Sequence, residues 1–107
     1  ALAKAGDISN ALLHANQAVH CDPNSDTAIV NLGSTMILDG NLQGAQIQYE
    51  KAVSINPKNP DAHYLLSQTY AKSGKPDLEI AELKKFVELA SPKDPRKAEA
   101  ENRLSRL

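Results

Sequence analysis

Apolar residues in this chain fall at helical spacing. Between residues 26 and 39 they stand at Ile29, Leu32 and Met36, and between 42 and 55 at Ala45, Tyr49, Ala52 and Val53. Steps of three, four and seven put each set on one face, so both segments are predicted to be helices with a buried stripe. Polar residues punctuate the pattern. Ser25, Asn59 and Asp94 each carry an N-cap side chain, and Asp26, Pro60 and Pro95 behind them suit a first helical turn. Asp22-Pro23 and Asn56-Pro57 close the preceding helices, because a residue before proline is driven from helical angles. Gly6, Gly40 and Gly74 fit a left-handed helix C-cap, and Asp7 and Asn41 follow directly as caps for the next helix. Lys75 is a poor cap, although Pro76 and Asp77 still mark a helix start.

The punctuation is itself periodic. Gly6, Gly40 and Gly74 are each 34 residues apart, Pro23 and Pro57 keep that step, and Pro92 follows Pro57 by 35. Laying residues 1–25 over 35–59 gives five identities: Gly6/Gly40, Ala11/Ala45, Ala18/Ala52, Val19/Val53 and Pro23/Pro57. A third unit keeps Ala62, Leu66, Thr69 and Val87 in the register of Ala28, Leu32, Thr35 and Val53. The unit reads as helix A, turn, helix B, turn, with helix A at about Asp26–Asp39 and helix B at about Leu42–Ile55 in the complete copy. Gly33, Ala45 and Ala52 are small, so helix B is expected to lie close against helix A of its own unit and the next. In the third unit Glu79 replaces Ala45 and Phe86 replaces Ala52. Its second helix is therefore expected to pack at a shifted angle, with Leu78, Leu83, Phe86 and Leu89 facing inward.

Leu32-Gly33, Met36, Gly40, Ala45, Tyr49, Ala52 and Pro57 together resemble the tetratricopeptide repeat, a helix-turn-helix of 34 residues. The resemblance covers about residues 1–91. It implies an all-α, α-α superhelical solenoid of about three units plus a C-terminal capping helix, forming a single domain over residues 1–107. The incomplete first repeat spans 1–25, the second 26–59 and the divergent third 60–93. Residues 94–107 read as a cap with few apolar positions, Ala98, Ala100, Leu104 and Leu107, as terminal elements of such arrays require. The first helix of a fourth repeat is the competing reading. Ala1 opens within a helical-looking stretch, so upstream sequence is expected. The clipped first unit should leave Leu12, Leu13 and Val19 uncovered, and a homodimer through that end is expected.

Composition narrows the chemistry. Twelve basic and 13 acidic residues give a formal charge of −1, which excludes a generic polyanion binder. Cys21 is the only cysteine, so neither an intrachain disulfide nor a cysteine zinc cluster can form. No run approaches the ~18 apolar residues of a membrane span. His14, His20, Cys21 and His63 are the candidates for metal or nucleophilic chemistry, and no His-x-x-x-His pair exists among them. Cys21 aligns with Ile55 and Leu89, an apolar slot, and is expected to be a packed thiol. His63 stands where Ile29 stands and is expected to be wedged between helices. The glycines sit singly at helix ends, which is unlike a phosphate loop. No catalytic residue, metal site or cofactor is assigned, and no enzyme is expected. Lys93, Arg96, Lys97, Arg103 and Arg106 give the last sixteen residues a net +2 without aromatic groups, which reads as a solvated helix surface, not a nucleic-acid contact.

In the resembled family the A helices line a concave surface that holds an extended or helical peptide. The positions this implies are Thr27, Val30, Asn31, Ser34, Ile37 and Leu38 in the second unit, and Asp61, Tyr64, Leu65, Gln68, Ala71 and Lys72 in the third. Ile29, Val30, Leu32, Met36, Ile37 and Leu38 make helix A apolar on more than one face, which suggests a partner surface or cover by neighbouring helices. One family version grips a C-terminal carboxylate with Lys and Arg beside Asn. Asn31 matches, but Asp61 and Leu65 stand where the cations should be. A second version holds the peptide backbone with one asparagine per repeat, and Leu65 breaks that ladder. The expected function is a non-enzymatic scaffold binding a protein or peptide segment, with no nucleic acid and no membrane span. The alternatives are a regulatory or substrate-docking segment of a larger enzyme, such as a glycosyltransferase or peptidase, and a structural spacer. Composition does not separate a cytoplasmic from a periplasmic version.

Overall fold

The computed structural model describes residues 5–107, with side chains from Asp7 onward. Six α-helices run through them: α1 (Ala5–Cys21), α2 (Asp26–Leu38), α3 (Leu42–Ile55), α4 (Pro60–Lys72), α5 (Pro76–Leu89) and α6 (Pro95–Arg106). The starts follow from capping chemistry. Ser25 Oγ accepts from the Ala28 N–H at 3.2 Å, Asn41 Oδ1 from Gly44 at 2.9 Å and Asn59 Oδ1 from Ala62 at 3.3 Å. A cap of this kind contributes about 1 kcal/mol. Asp94 caps α6 through the Arg96 N–H, whereas Lys75 makes no side-chain cap and α5 begins on Pro76 alone.

The helix ends are equally legible. Gly40 and Gly74 take φ of +81° and +72°, and the N–H of the residue behind each reaches back into the helix: Asn41 to Met36 O at 2.8 Å, Lys75 to Tyr70 O at 2.9 Å. That is the Schellman closure, and it requires a left-handed residue at the glycine. Gly6 behaves differently. It lies with Asp7 inside the first turn of α1, where the Asp7 carboxylate faces the positive end of the helix dipole. The helix expected ahead of Gly6 falls on residues 1–4, outside the described residues.

The chain forms two compact units, one ending at Pro57 and one starting at Lys58. In the first, α2 packs against α1 and α3. Ile29, Leu32, Ala45, Tyr49 and Ala52 are all buried, and Gly33 lies directly under the Tyr49 ring. The small residues of the two stripes therefore let α2 and α3 approach closely. Met36 and Val53, the remaining stripe members, are half-buried.

In the second unit α5 packs against α4 and α6. Leu83, Phe86, Ala90 and Ala100 form its core, flanked by Tyr64, Val87 and Leu104. Two inward expectations are corrected here. Leu78 and Leu89 are 46% and 37% exposed. The buried face of α5 runs through Glu79, Leu83, Phe86 and then Ala90, steps of four, three and four, which turns the neighbouring leucines outward. Cys21 is also exposed and not packed. It is the last residue of α1, and the matching Ile55 and Leu89 end their own helices 37% exposed each, so that slot is open in every unit.

Candidate functional site

The first unit presents its candidate strip along α2. Thr27, Asn31 and Leu38 are exposed, with Leu38 at 64%, whereas Val30 is buried and Ser34 and Ile37 are half-buried. Ser34 is committed inward, because its Oγ shares a 2.9 Å hydrogen bond with the Tyr49 hydroxyl. Burial pushes the Tyr49 phenol up, and the Ser34 bond opposes that shift. The Asn31 backbone carbonyl accepts the Thr35 hydroxyl at 2.9 Å, and the exposed Asn31 carboxamide makes no hydrogen bond among the described residues. On α1, Leu13 is 56% exposed and Leu12 and Val19 are half-buried, so only part of that face is open.

The second unit presents its strip along α4. Asp61, Gln68 and Lys72 are exposed, and Tyr64, Leu65 and Ala71 are half-buried. Two of these side chains, Asp61 and Tyr64, are held by α6. Arg96 Nη2 donates to Asp61 Oδ1 at 2.7 Å and to Asp94 Oδ2 at 2.8 Å. Its guanidinium lies 5.2 Å from the Tyr64 ring centre and 5.3 Å from that of Phe86, the two rings being 4.8 Å apart and tilted by 46°. This is a cation–π arrangement on two faces at once. The side-chain hydrogen bonds from Arg96 hold the Asp94 carboxyl below the ordinary carboxylate range, and the same bonds raise the Arg96 guanidinium. Asp61 thus carries a cationic partner instead of a bare charge.

A second arginine of α6 answers the anomaly in the repeat. Glu79 occupies the alanine slot and its side chain is only 5% exposed. Arg103 meets it with a forked pair, Nε to Oε2 at 2.8 Å and Nη2 to Oε1 at 3.1 Å, and that bonding raises the Arg103 guanidinium. Arg96 and Arg103 are therefore paired across helices while remaining 36% and 51% exposed, so the solvated surface of the basic cluster also carries structural ion pairs. The signal was present in sequence: a carboxylate in a small apolar slot demands a cation, and α6 supplied one. His63 is 2% exposed and hydrogen-bonds through Nδ1 to the Glu82 carboxylate, as a wedged histidine would. Among the described residues no group of three His, Cys, Asp or Glu side chains could hold a metal.

The Glu79–Arg103 pair is expected to respond asymmetrically to truncation. Arg103→Ala strands a buried carboxylate, whereas Glu79→Ala removes the charge and reinstates the alanine of the preceding unit. Arg103→Ala should melt at a lower temperature than Glu79→Ala, and the double variant should recover at least half of the loss. Equal melting temperatures for the two single variants in thermal circular dichroism would show that the buried charge carries no penalty.

Comparison with known proteins bears on the repeat. Residues 37–74 match the family description TPR repeat, and residues 60–92 match the description tetratricopeptide repeat. No curated protein matches the sequence. Among solved structures, the Yersinia enterocolitica type III secretion translocator chaperone SycD superposes with a TM-score of 0.86 at 15% identity, over 94% of this chain and 72% of that one. PcrH in complex with the chaperone binding region of PopD gives 0.83 at 17% identity, over 95% and 79% of the two chains. MamA gives 0.76 at 23% identity, over 94% and 67%. At these identities the likeness is one of fold: six helices in an α-α superhelical class.

Proposed function

Because the chain belongs to the tetratricopeptide-repeat family, we propose that it is a non-enzymatic scaffold for a protein or peptide segment, with the outward strips of α2 and of α4 as candidate contacts, each in its own unit. The observation that carries this reading is a pair of exposed, uncommitted carboxamides, Asn31 and Gln68, one on each strip. A carboxamide offers both donors and an acceptor, which matches the alternating needs of a peptide backbone. Leu38, 64% exposed on the same helix as Asn31, adds an apolar contact that nothing in its own unit requires. Two structural relatives point the same way, since SycD has been solved with a peptide of the translocator YopD and PcrH with a region of PopD.

The test compares the full chain with Asn31→Ala/Gln68→Ala in quantitative affinity capture from the native extract. Both substitutions lie on exposed helix surface, so helicity should not change. Two lost hydrogen bonds of about 1 kcal/mol each predict capture of the partner reduced by roughly tenfold or more. Equal recovery by both forms would move the contact to another surface and end this assignment.

A further inference from the structure

A recess of about 200 Å³ opens in the second unit between α4, α5 and α6. We propose that this recess is an anchor pocket for a lysine side chain of the bound segment, a refinement that rests on the scaffold reading above. The size decides the first point. The recess is smaller than the sites that take drug-sized ligands, and it fits one extended side chain.

The lining decides the second. Tyr64, Leu83 and Ala100 supply apolar surface, which suits the four-carbon stem of a lysine. The polar groups around it are Gln68, Glu79, Glu99 and Arg103. Glu79 is the wrong partner for an incoming cation, because both of its oxygens already accept from Arg103. Glu99 is exposed and makes no hydrogen bond or ion pair among the described residues, and Gln68 keeps its carbonyl oxygen uncommitted there. Summed over these groups the recess carries one net negative charge, and that charge sits on Glu99. An ammonium has three donors and no acceptor, which is what two spare acceptors beside an apolar lining select. A carboxylate would meet Glu99 with like charge, and an uncharged chain would leave it unanswered. Tyr64 already turns a ring face to Arg96, so the compact ammonium is favoured over a second stacked guanidinium.

The pocket can be tested without knowing the partner. The full chain, labelled with nitrogen-15, would be titrated with N-acetyl-lysine methylamide, its norleucine counterpart and its arginine counterpart. The lysine probe is expected to shift the amide signals of Gln68, Ala100 and Arg103, with about fivefold tighter binding than norleucine, the effect of one partly exposed charge contact. Glu99→Gln should bring lysine and norleucine to equal affinity with helicity unchanged. Equal binding of the two by the unsubstituted chain, shifts confined to other helices, or tighter binding of the arginine probe would each overturn the assignment. The outcome is separable from the scaffold test. A failed pocket leaves partner capture intact, and failed capture leaves the probe titration intact.

Discussion

Replacing Phe86 by alanine is expected to destabilise the protein by about 3–5 kcal/mol, the usual cost of truncating a fully buried aromatic side chain. The ring is 0% exposed. It packs with Leu83, Ala90 and Ala100, meets the Tyr64 ring in a tilted contact with centres 4.8 Å apart and receives the Arg96 guanidinium at 5.3 Å. The substitution runs against a natural intuition about repeats. Alanine is the residue of the preceding unit at this position, Ala52, so Phe86→Ala brings the third unit back to the pattern. The reason it should nevertheless fail is that α6 has been fitted to the phenylalanine. Arg96 from α6 bridges Tyr64 and Phe86, and Ala100 from α6 lies in the same cluster. Removing the ring opens a cavity where residues of α4, α5 and α6 meet.

For a domain of this size such a loss corresponds to a melting temperature lowered by more than about 10 °C. Val87→Ala serves as the comparison, since Val87 is only half-buried beside the same cluster. It should cost less than half as much. A Phe86→Ala protein melting within two or three degrees of the parent would mean that α6 is not held through this ring.

These residues also show where sequence reading succeeds and where it stops. Local chemistry was legible to within a residue at most helix ends, and failed at Gly6 and Asp7, which lie inside α1. Ser25, Asn41, Asn59 and Asp94 cap as side-chain type dictates, and Gly40 and Gly74 turn as the steric rule for positive φ requires. The stripe of α2 and α3 was legible for the same reason, since helical periodicity fixes which residues share a face. What escaped is the placement of helices against each other in the divergent unit. The inward face of α5 depends on which partner covers it, so four leucine and phenylalanine positions could not be sorted by periodicity alone. Two of them, Leu78 and Leu89, point outward. The candidate strips show the same limit. The family resemblance implies that Val30 and Ser34 face outward, but one is buried and the other bonds Tyr49. Helical phase says where a side chain starts, and neighbours decide where it ends. The arginine pairs of α6 follow suit, because residues 24 and 35 positions apart meet only once the helices have packed.

The second large effect is expected at Gly33, where valine should cost roughly 2–3 kcal/mol through overpacking and a broken hydrogen bond. A β-carbon built there would lie 2.8 Å from Tyr49 Cε1, 3.0 Å from Cδ1 and 3.2 Å from Cζ. A ring at the surface would swing away at little cost. Tyr49 is 1% exposed and its hydroxyl is tied to Ser34, so any retreat of the ring breaks that bond or strains the α2–α3 contact. Helix propensity works in the opposite direction, because glycine is the poorer helix former by up to about 1 kcal/mol against alanine and by less against valine. Gly33→Ala should therefore already be destabilising, with helix propensity offsetting part of the β-carbon's contact with the ring, and Gly33→Val more so. A double-mutant cycle isolates the cause. In a Tyr49→Leu background the facing ring is gone, so the penalty of Gly33→Val should fall by more than half. Chemical denaturation of the four proteins gives the coupling directly. An unchanged penalty would mean that the valine is rejected by the helix itself, and that the close approach of α2 and α3 at Gly33 does not depend on the absent side chain.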